Sequence, residues 1–190
     1  MTERSIAVAT VLLAAGVLGA TLFIGLPRLA RRAPAAAAPP PVAAAPAPQG
    51  RKIKAHLFYV AEDGAHLTSV ERDIAYGESA ADQAREIVSA QIAAVPVPVV
   101  SPVPAGTTLR ALFIADDGNA YVDLSREVAV AHRGGTVDEL LTVYAIVDAL
   151  TVNLPAVTAV QVLVDGKEVD TLAGHVDLRR PLARNLAWVQ

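Results

Sequence analysis

The sequence predicts an α+β fold, a mainly antiparallel sheet with two helices packed on one face, preceded by a transmembrane helix and a disordered Ala/Pro linker. After residue 50, segments with strand-like alternation outnumber segments with helical periodicity. Only two segments have helical periodicity, and each begins with a capping-box pattern. The helical segments do not repeat as a βαβ series with glycine-rich loops, which argues against a doubly wound parallel sheet.

Charge divides the 190 residues near residue 50. Residues 1–50 hold four arginines and one glutamate, a formal net charge of +3, which leaves −6 for residues 51–190 within the total of −3. A remainder of this size is one domain that can bury a core without covalent cross-links. The absence of cysteine excludes disulfides, Cys-ligated zinc, iron–sulfur clusters and thiol nucleophiles. An acidic domain with few aromatic residues also lacks the charge and stacking surface that bind nucleic acid.

The chain starts with an uncharged segment long enough to cross a bilayer. Residues 6–26 contain no charged side chain and would span roughly 30 Å as a helix. Cleaved signal peptides usually have a shorter apolar region followed by a small-residue cleavage site, whereas here Pro27-Arg28 and Arg31-Arg32 follow. We therefore expect residues 1–32 to be an uncleaved anchor in the cytoplasmic (inner) membrane, with an extracytoplasmic C-terminal domain on the periplasmic or wall side. The arginines after the span favour the opposite orientation by the positive-inside rule.

Residues 33–50 are predicted to be a spacer. Alanine and proline fill all but three of these positions. Proline removes backbone donors and alanine offers little surface to bury, so the segment cannot form a packed core. Fully extended, it would reach roughly 55 Å, which suits holding residues 51–190 away from a membrane surface.

Six segments of the domain have the alternation or the β-branched content of strands. They are residues 52–60, 67–74, 108–115, 120–125, 157–164 and 167–173. Residues 116–119 (Asp-Asp-Gly-Asn) and the Asp165-Gly166 pair predict the turns of two hairpins, the second of type I′. The proline-rich residues 96–106 are short and bounded by predicted elements, and are interpreted as an ordered extended loop.

Two segments have an apolar period of 3.6 residues. The first begins at Ser79, with Asp82 at the capping-box position, and ends before Pro96. The second begins at Thr136, with Glu139 at the same spacing, and ends at the next proline. The predicted apolar face of the second helix consists of Val137, Leu140, Leu141, Tyr144, Val147 and Leu150.

Three runs of the domain resemble one known family in the order in which they occur. They are SPVPAGTTLRALFIADDGNAYVDLS (101–125), GGTVDELLTVYAIVDAL (134–150) and VQVLVDGKEVDTLAGHVDLRRPL (160–182). Residues 51–190 are therefore similar to a single copy of the GerMN domain, named from the spore germination and sporulation protein GerM. The resemblance implies a non-catalytic envelope module that takes part in transenvelope assembly in spore formers. It also implies a fold similar to the α+β ring-building domains of secretion-type channels.

The histidines lack the spacing of a metal-binding helix motif. They are His56, His66, His132 and His175. Surface or capping roles are expected, and a metal site assembled only in the folded chain is the alternative. Gly174-His175 follows a predicted hairpin, where the glycine supplies an unusual backbone angle and the histidine is structural or interfacial.

Structural roles are also expected for the Asp, Asn and Ser side chains between residues 116 and 125. Asp116, Asp117, Asn119 and Asp123 lack the ligand spacing and terminal glutamate of an EF-hand, and turn chemistry accounts for the first three. Ser125 lies in no GxSxG elbow; a role at a strand end is expected for it, and bonds to local backbone groups for Asp123. We therefore predict no catalytic, cofactor-binding or metal-binding residue and no cofactor.

Two functions follow as hypotheses. The first is an assembly module that binds envelope proteins or copies of itself, through a sheet edge or the surface near residues 96–106. The second is a cell-wall glycan binding or processing module, with a wall hydrolase as its enzymatic form. Sugar binding favours exposed aromatic side chains. Most aromatic residues of the domain fall where core packing is expected, which favours assembly; these are Phe58, Tyr59, Phe113, Tyr121 and Tyr144.

Overall fold

The computed structural model describes residues 50–95 and 98–190, which belong to one compact unit. In chain order the elements are β1 (Lys52–Val60), β2 (Leu67–Ala75), α1 (Ala80–Ile92), β3 (Leu109–Ile114), β4 (Asn119–Leu124), α2 (Glu127–Val130), α3 (Thr136–Asn153), β5 (Ala159–Val164), β6 (Lys167–Glu168), β7 (Leu182–Ala183) and a 3-10 turn (Leu186–Trp188). The predicted anchor and all but the last residue of the predicted linker lie outside the described residues. No helix within the described ranges is long and apolar enough to cross a membrane.

The strands form two sheets. β1 and β2 are an antiparallel hairpin, in register from Lys52 opposite Ala75 to Val60 opposite Leu67. The second sheet has the order β3-β4-β5, and β6 and β7 both pair with the far side of β5. The pairing of β4 with β5 is parallel, because α2 and α3 carry the chain back between them. The predicted α+β class is confirmed, and the parallel pair at the centre of the sheet was not predicted.

The two long helices begin in different ways. At α1 the predicted cap is confirmed, since Ser79 is the N-cap residue and its hydroxyl accepts the Asp82 N–H at 3.1 Å. At α3 the predicted capping box is wrong. Gly135, with a φ of 94°, occupies the N-cap position, and no side chain caps the helix. The Glu139 carboxylate instead binds backbone groups far along the chain, as described below.

The helix α3 is buried on more sides than the sequence predicts. Val137, assigned to the apolar face, is 42% exposed. The polar side chains of Glu139, Thr142 and Asp148 are fully buried instead. The reason is that α3 contacts β1, α1 and β5, so that a single apolar stripe cannot describe its surroundings.

The proline-rich loop is tied to the domain at the residues that the structure describes, which begin again at Pro98. The Val60 N–H donates to the Val100 carbonyl at 3.0 Å, beside the end of β1. The Thr142 hydroxyl of α3 donates to the Pro102 carbonyl at 2.6 Å. These bonds join the loop to both β1 and α3.

Candidate functional site

The outer edge of β1, on the side away from β2, is closed by two side-chain amides. Asn153, at the end of α3, accepts the His56 N–H at 2.9 Å and donates to the His56 carbonyl at 2.7 Å. Gln91, in the last turn of α1, accepts the Phe58 N–H at 2.9 Å and donates to the Phe58 carbonyl at 2.6 Å. An amide side chain carries one acceptor and a donor pair, so each one replaces a peptide group of a missing neighbour strand.

The closure of β1 shows which residues of β2 turn their backbone outward. In an antiparallel pair, directly opposite residues either exchange both hydrogen bonds or direct both groups away from each other. His56 and Phe58 lie opposite Glu71 and Ser69. Because the first two point away from β2, the N–H and C=O groups of Ser69, Glu71 and, two residues on, Asp73 point away from β1.

This outer edge of β2 is open between two closed ends. At one end the Gln190 N–H donates to the Leu67 carbonyl at 3.0 Å. At the other end the Gln83 amide donates to the Ala75 carbonyl at 3.2 Å. Between them, no hydrogen bond from the described residues reaches the outward backbone groups of Ser69–Asp73. We call these five residues the open edge. Unpaired edges of this kind are where a further strand can add.

Opposite charges line the exposed face of the same hairpin. Lys54 lies opposite Asp73 and diagonal to Glu71. The Lys54 ammonium is 2.5 Å from the Glu71 carboxylate, and this hydrogen bond is the main cause of a raised pKa at Lys54 and a lowered pKa at Glu71. Both side chains are exposed to solvent, so the pair contributes little to stability. Its importance lies in the charge pattern, with a basic row on β1 and an acidic row on β2.

A second exposed feature is an aromatic pair on the other sheet. Phe113 of β3 lies opposite Tyr121 of β4, with ring centroids 6.3 Å apart and planes tilted by 40°. Phe113 is 63% exposed, so the prediction that it packs in the core is wrong. Its neighbour Leu112 takes the core face instead, because successive side chains of a strand point to opposite faces.

The segment TLAGH (171–175) of the sequence motif is held by a buried carboxylate. Glu139 accepts the Leu172 N–H at 2.7 Å and the His175 N–H at 2.8 Å. Burial on its own would raise the pKa of Glu139, but hydrogen bonds from the backbone N–H groups of this segment outweigh it and hold the pKa below its usual range. Gly174 has a φ of 97°, which lets the segment turn around the carboxylate. Glu139 is therefore a fixed anion with a structural role.

Asp123 and Ser125 are also engaged by the backbone. The Asp123 carboxylate accepts the Gly166 N–H at 2.7 Å and the Arg110 guanidinium N–H at 3.2 Å. The Ser125 hydroxyl accepts the Thr108 N–H at 3.0 Å. Ser125 thus has the strand-end role that was predicted. Asp123 binds backbone as expected, but at a distant turn, which the parallel pairing of β4 with β5 brings near it.

The structure does not bring the histidines together. The partners of His56, His66, His132 and His175 are Ser69, Asp63, Thr142 and Glu139, respectively. In the described part of the chain, no group of three or more His, Asp or Glu side chains could hold a metal ion. In the hairpin turn, Asp117 accepts the backbone N–H of Asn119 at 3.0 Å, which is the predicted turn chemistry.

One buried carboxylate lacks a full set of partners. Asp148 of α3 accepts the Asn185 N–H at 3.0 Å through Oδ1, and its Oδ2 has no hydrogen-bond partner among the described residues. Burial raises the pKa of this carboxyl. An open groove of about 540 Å³ lies where α3 ends and β7 begins, and Arg184 is the only ionisable side chain among the described residues that line it. These described residues therefore do not supply the pair of acids that glycoside hydrolysis uses.

A family comparison identifies the domain. The family model described as "Germane: Sporulation and spore germination" matches residues 56–170. The chain belongs to the Germane family. The match begins within β1 and extends past β6, and it confirms the resemblance to the GerMN domain.

Two solved structures have folds similar to this Germane domain. A lipoprotein candidate from Clostridium perfringens is 23% identical, with a TM-score of 0.50, over 70% of this chain and 87% of that chain. The tandem GerMN domains of the sporulation protein GerM from Bacillus subtilis are 20% identical, with a TM-score of 0.52, over 72% of this chain and 46% of that chain. At these identities the likeness shows the α+β fold. No curated protein matches the chain significantly.

The residues that shape the edges of the Germane domain were not predicted from the sequence. Gln91 and Asn153 are the two that matter most, and both lie at the C-terminal ends of helices. The available signal is that Gln91 lies four residues after Ile87 on the apolar face of α1, where a polar side chain needs a buried partner. The sequence gives no indication that this partner is the backbone of β1.

Proposed function

We propose that the chain is a non-catalytic interaction and assembly module of the cell envelope. Residues 6–26 hold it at the membrane, and residues 33–50 carry the Germane domain away from the membrane surface. The open edge of β2 is the observation that carries this proposal. A strand edge with unpaired donors and acceptors, closed at both ends by its own chain, is suited to receive one extended segment of a partner.

The buried acids support a non-catalytic function. Glu139 and Asp123 accept backbone N–H groups, so their charge is already used to hold loops. A general acid or base needs a proton that it can exchange with a substrate. Asp148 has a raised pKa, but both its oxygens are inaccessible to solvent or bonded within the fold.

The relatives support a location in the envelope. One similar structure belongs to a lipoprotein candidate, and another belongs to a sporulation protein. The chain carries one GerMN-type domain where the second of these carries two. We propose a general envelope function for it, of which assembly during sporulation would be a special case.

Site-specific photocrosslinking in native membranes tests the assembly function. A photoreactive residue in place of Glu71 lies on the open edge and is expected to capture a protein partner. The matched control replaces Val130, which is 72% exposed on α2 and lies outside the β1–β2 hairpin. Absence of any protein adduct from position 71 would contradict the proposal, as would equal capture from both positions.

Glycan binding is the second candidate function, and the exposed Phe113 favours it. An aromatic ring that is 63% exposed beside a tyrosine can stack on a sugar face. The test is co-sedimentation of the full chain with insoluble cell-wall glycan. Phe113→Ala should abolish co-sedimentation, and Val130→Ala, the matched exposed control, should leave it unchanged. If the wild-type chain stays in the supernatant, this candidate is rejected.

A further inference from the structure

We infer that the segment which adds to the open edge of β2 is residues 50–54 of a second copy of this chain. The inference rests on the proposed function, in which the open edge is a binding surface. It assigns a specific occupant to that edge, namely the exposed start of β1. Two copies would then meet head to tail, β2 of one against β1 of the next.

The two edges have matching unpaired groups. The outer edge of β1 is closed from His56 onward by the amides and by Val100, but Lys52 and Lys54 precede the closure. By the same alternation, the N–H and C=O groups of Lys52 and Lys54 point away from β2, and no hydrogen bond from the described residues reaches them. The Arg51 carbonyl accepts the Tyr76 N–H and so faces β2, which by alternation turns the backbone groups of Gly50 outward. Residues 50, 52 and 54 thus offer three outward positions to the three outward positions of the open edge.

The closed parts of the two edges fix the register. The Asn153 amide already bonds the N–H and the C=O of His56, so these groups cannot pair with another strand. The added segment must therefore end at Lys54. Gln190 occupies the Leu67 carbonyl, so pairing on β2 must begin at Ser69. An antiparallel pairing that meets both limits places Lys54 of the second copy opposite Ser69, Lys52 opposite Glu71 and Gly50 opposite Asp73.

Charge complementarity favours this pairing. Lys52 of the second copy lies directly opposite Glu71 and diagonal to Asp73, and opposite charges on neighbouring strands attract. Lys52 and Lys54 of the second copy would form a second basic row, on the side of the acidic row of β2 that faces away from β1. On the other face, Val70, which is 37% exposed, faces Ile53 of the second copy. The one like-charge pair joins Arg72 and Arg51, whose guanidinium groups already contact Tyr59 and Tyr76.

Symmetric pairing of two open edges is disfavoured by the same charges. An antiparallel pair centred on Glu71 places this residue opposite its own counterpart. A pair centred on Arg72 places Glu71 opposite Asp73. Like charges directly opposite each other destabilise strand pairing. A pair centred on Val70 avoids like charges, but it places Asp73 opposite Leu67, whose carbonyl already accepts the Gln190 N–H. The basic start of β1 is therefore the better occupant within this chain.

Disulfide trapping tests the register, because the natural chain contains no cysteine. The experiment uses two full-length variants, Ser69→Cys and Lys54→Cys, co-expressed in the membrane and oxidised gently. In the inferred pairing these two positions are directly opposite, at a Cα separation of about 5.5 Å that a disulfide can bridge. Within one chain they lie four residues apart along the hairpin, about 13 Å, which is too far.

The expected result is a covalent heterodimer of the two variants. Ser69→Cys co-expressed with Val130→Cys is the matched control and should give no heterodimer. Adding Glu71→Gln and Asp73→Asn to the Ser69→Cys chain should lower the trapped fraction by about threefold or more, because the attraction of Lys52 is lost. Glu71 and Asp73 are exposed, so these changes are compatible with folding.

Two outcomes would overturn the inference. They are no heterodimer, or an equal yield from the control pair. Photocrosslinking from position 71 separates this failure from failure of the proposed function. If disulfide trapping fails and position 71 still captures another protein, the assembly function stands and self-addition is rejected. If position 71 captures nothing, both are rejected.

Discussion

At the scale of single residues, the Gln91 side chain is important for the stability of the fold. Its side chain is completely buried, and it bonds both the N–H and the C=O of Phe58. Removing it would leave one donor and one acceptor of the backbone buried without partners. A buried group without a partner costs more than an ordinary hydrogen bond contributes.

We predict that Gln91→Leu lowers the free energy of unfolding by about 2–4 kcal/mol. Asn153→Leu is the matched control, since it removes the same kind of amide from exposed groups of His56 that water can reach. Its loss should be about 1 kcal/mol or less. Urea unfolding followed by circular dichroism measures both values. Equal losses for the two variants would contradict the role given to burial.

Glu139 predicts a pH dependence. Its pKa in the folded chain is below its ordinary value of 4.5. Stability from this group is therefore complete above the pKa of the unfolded chain and is lost as the pH falls toward the folded pKa. Glu139→Gln should destabilise the domain by about 2–3 kcal/mol at pH 7, and the difference from wild type should shrink as the pH falls below about 4.5.

Asp148 provides a control, because its contribution to stability should change with pH in the opposite direction. Its pKa is raised above the ordinary value of 3.8, so the charged form costs stability. Stability from this group is complete below that value and is lost as the pH rises through the folded pKa. Asp148→Asn should therefore gain stability relative to wild type as the pH rises. Urea midpoints measured from about pH 2 to about pH 8 cover both windows and check both variants, and slopes of the same sign would refute the assignment.

At the scale of elements, short local patterns were read correctly and distant pairings were not. The start of α1 was predicted because Ser79 and Asp82 bond each other. The cap of α3 was mispredicted because Glu139 finds partners 33 and 36 residues further along the chain. The turn at Asp165-Gly166 was predicted from its two residues, and both have positive φ. The parallel pairing of β4 with β5 depends on the path of α3, which no local pattern encodes.

The β3–β4 hairpin supplies a prediction at this scale. Gly118 has a φ of 85°, and a Cβ there would lie 2.9 Å from the Thr158 hydroxyl and 3.1 Å from the Ala156 carbonyl. Gly64 has a φ of 70° with nothing within 4 Å of a Cβ. Gly118→Ala should therefore cost about 2–3 kcal/mol, combining backbone strain with crowding, and Gly64→Ala about 1 kcal/mol. Thermal unfolding compares the two, and equal shifts would show that the hairpin accommodates the methyl group.

At the scale of the whole molecule, the predicted division of the chain into anchor, spacer and domain leads to a prediction about folding. Residues 51–190 should fold without the preceding fifty residues, because their caps, turns and buried apolar residues are consistent with one compact unit. The purified fragment should show one cooperative thermal transition. A broad, non-cooperative transition would contradict this.

The orientation of the chain is a separate prediction. We expect residues 51–190 to lie outside the cytoplasm, with residues 6–26 as the single membrane span. An exported reporter, active only in an oxidising compartment, should be active when fused after Gln190. A reporter that functions only in the cytoplasm, fused at the same point, serves as the control and should be inactive. The reverse result would favour the orientation that Arg28, Arg31 and Arg32 suggest.

The surface of the domain was harder to predict than its core. Alternation in β3 identified a strand, but it could not decide which face is covered, and Phe113 was assigned to the wrong one. Neither the composition of the sequence nor its hydrophobic periodicity predicted the open edge. It depends on which strands have side-chain amides beside them, and this is settled only by the packing of the helix ends against β1.

Residues 171–190 complete the domain that β1 and β2 begin. The family match ends at residue 170, yet Leu172 and Leu178 are buried beyond it, and Gln190 bonds the start of β2. A nascent chain that has emerged only to residue 170 therefore has a charged Glu139 without its backbone donors. Its early hairpin also lacks the closure at Leu67. Folding of the domain therefore depends on residues 171–190, and a chain truncated after residue 170 should yield a product that proteases remove.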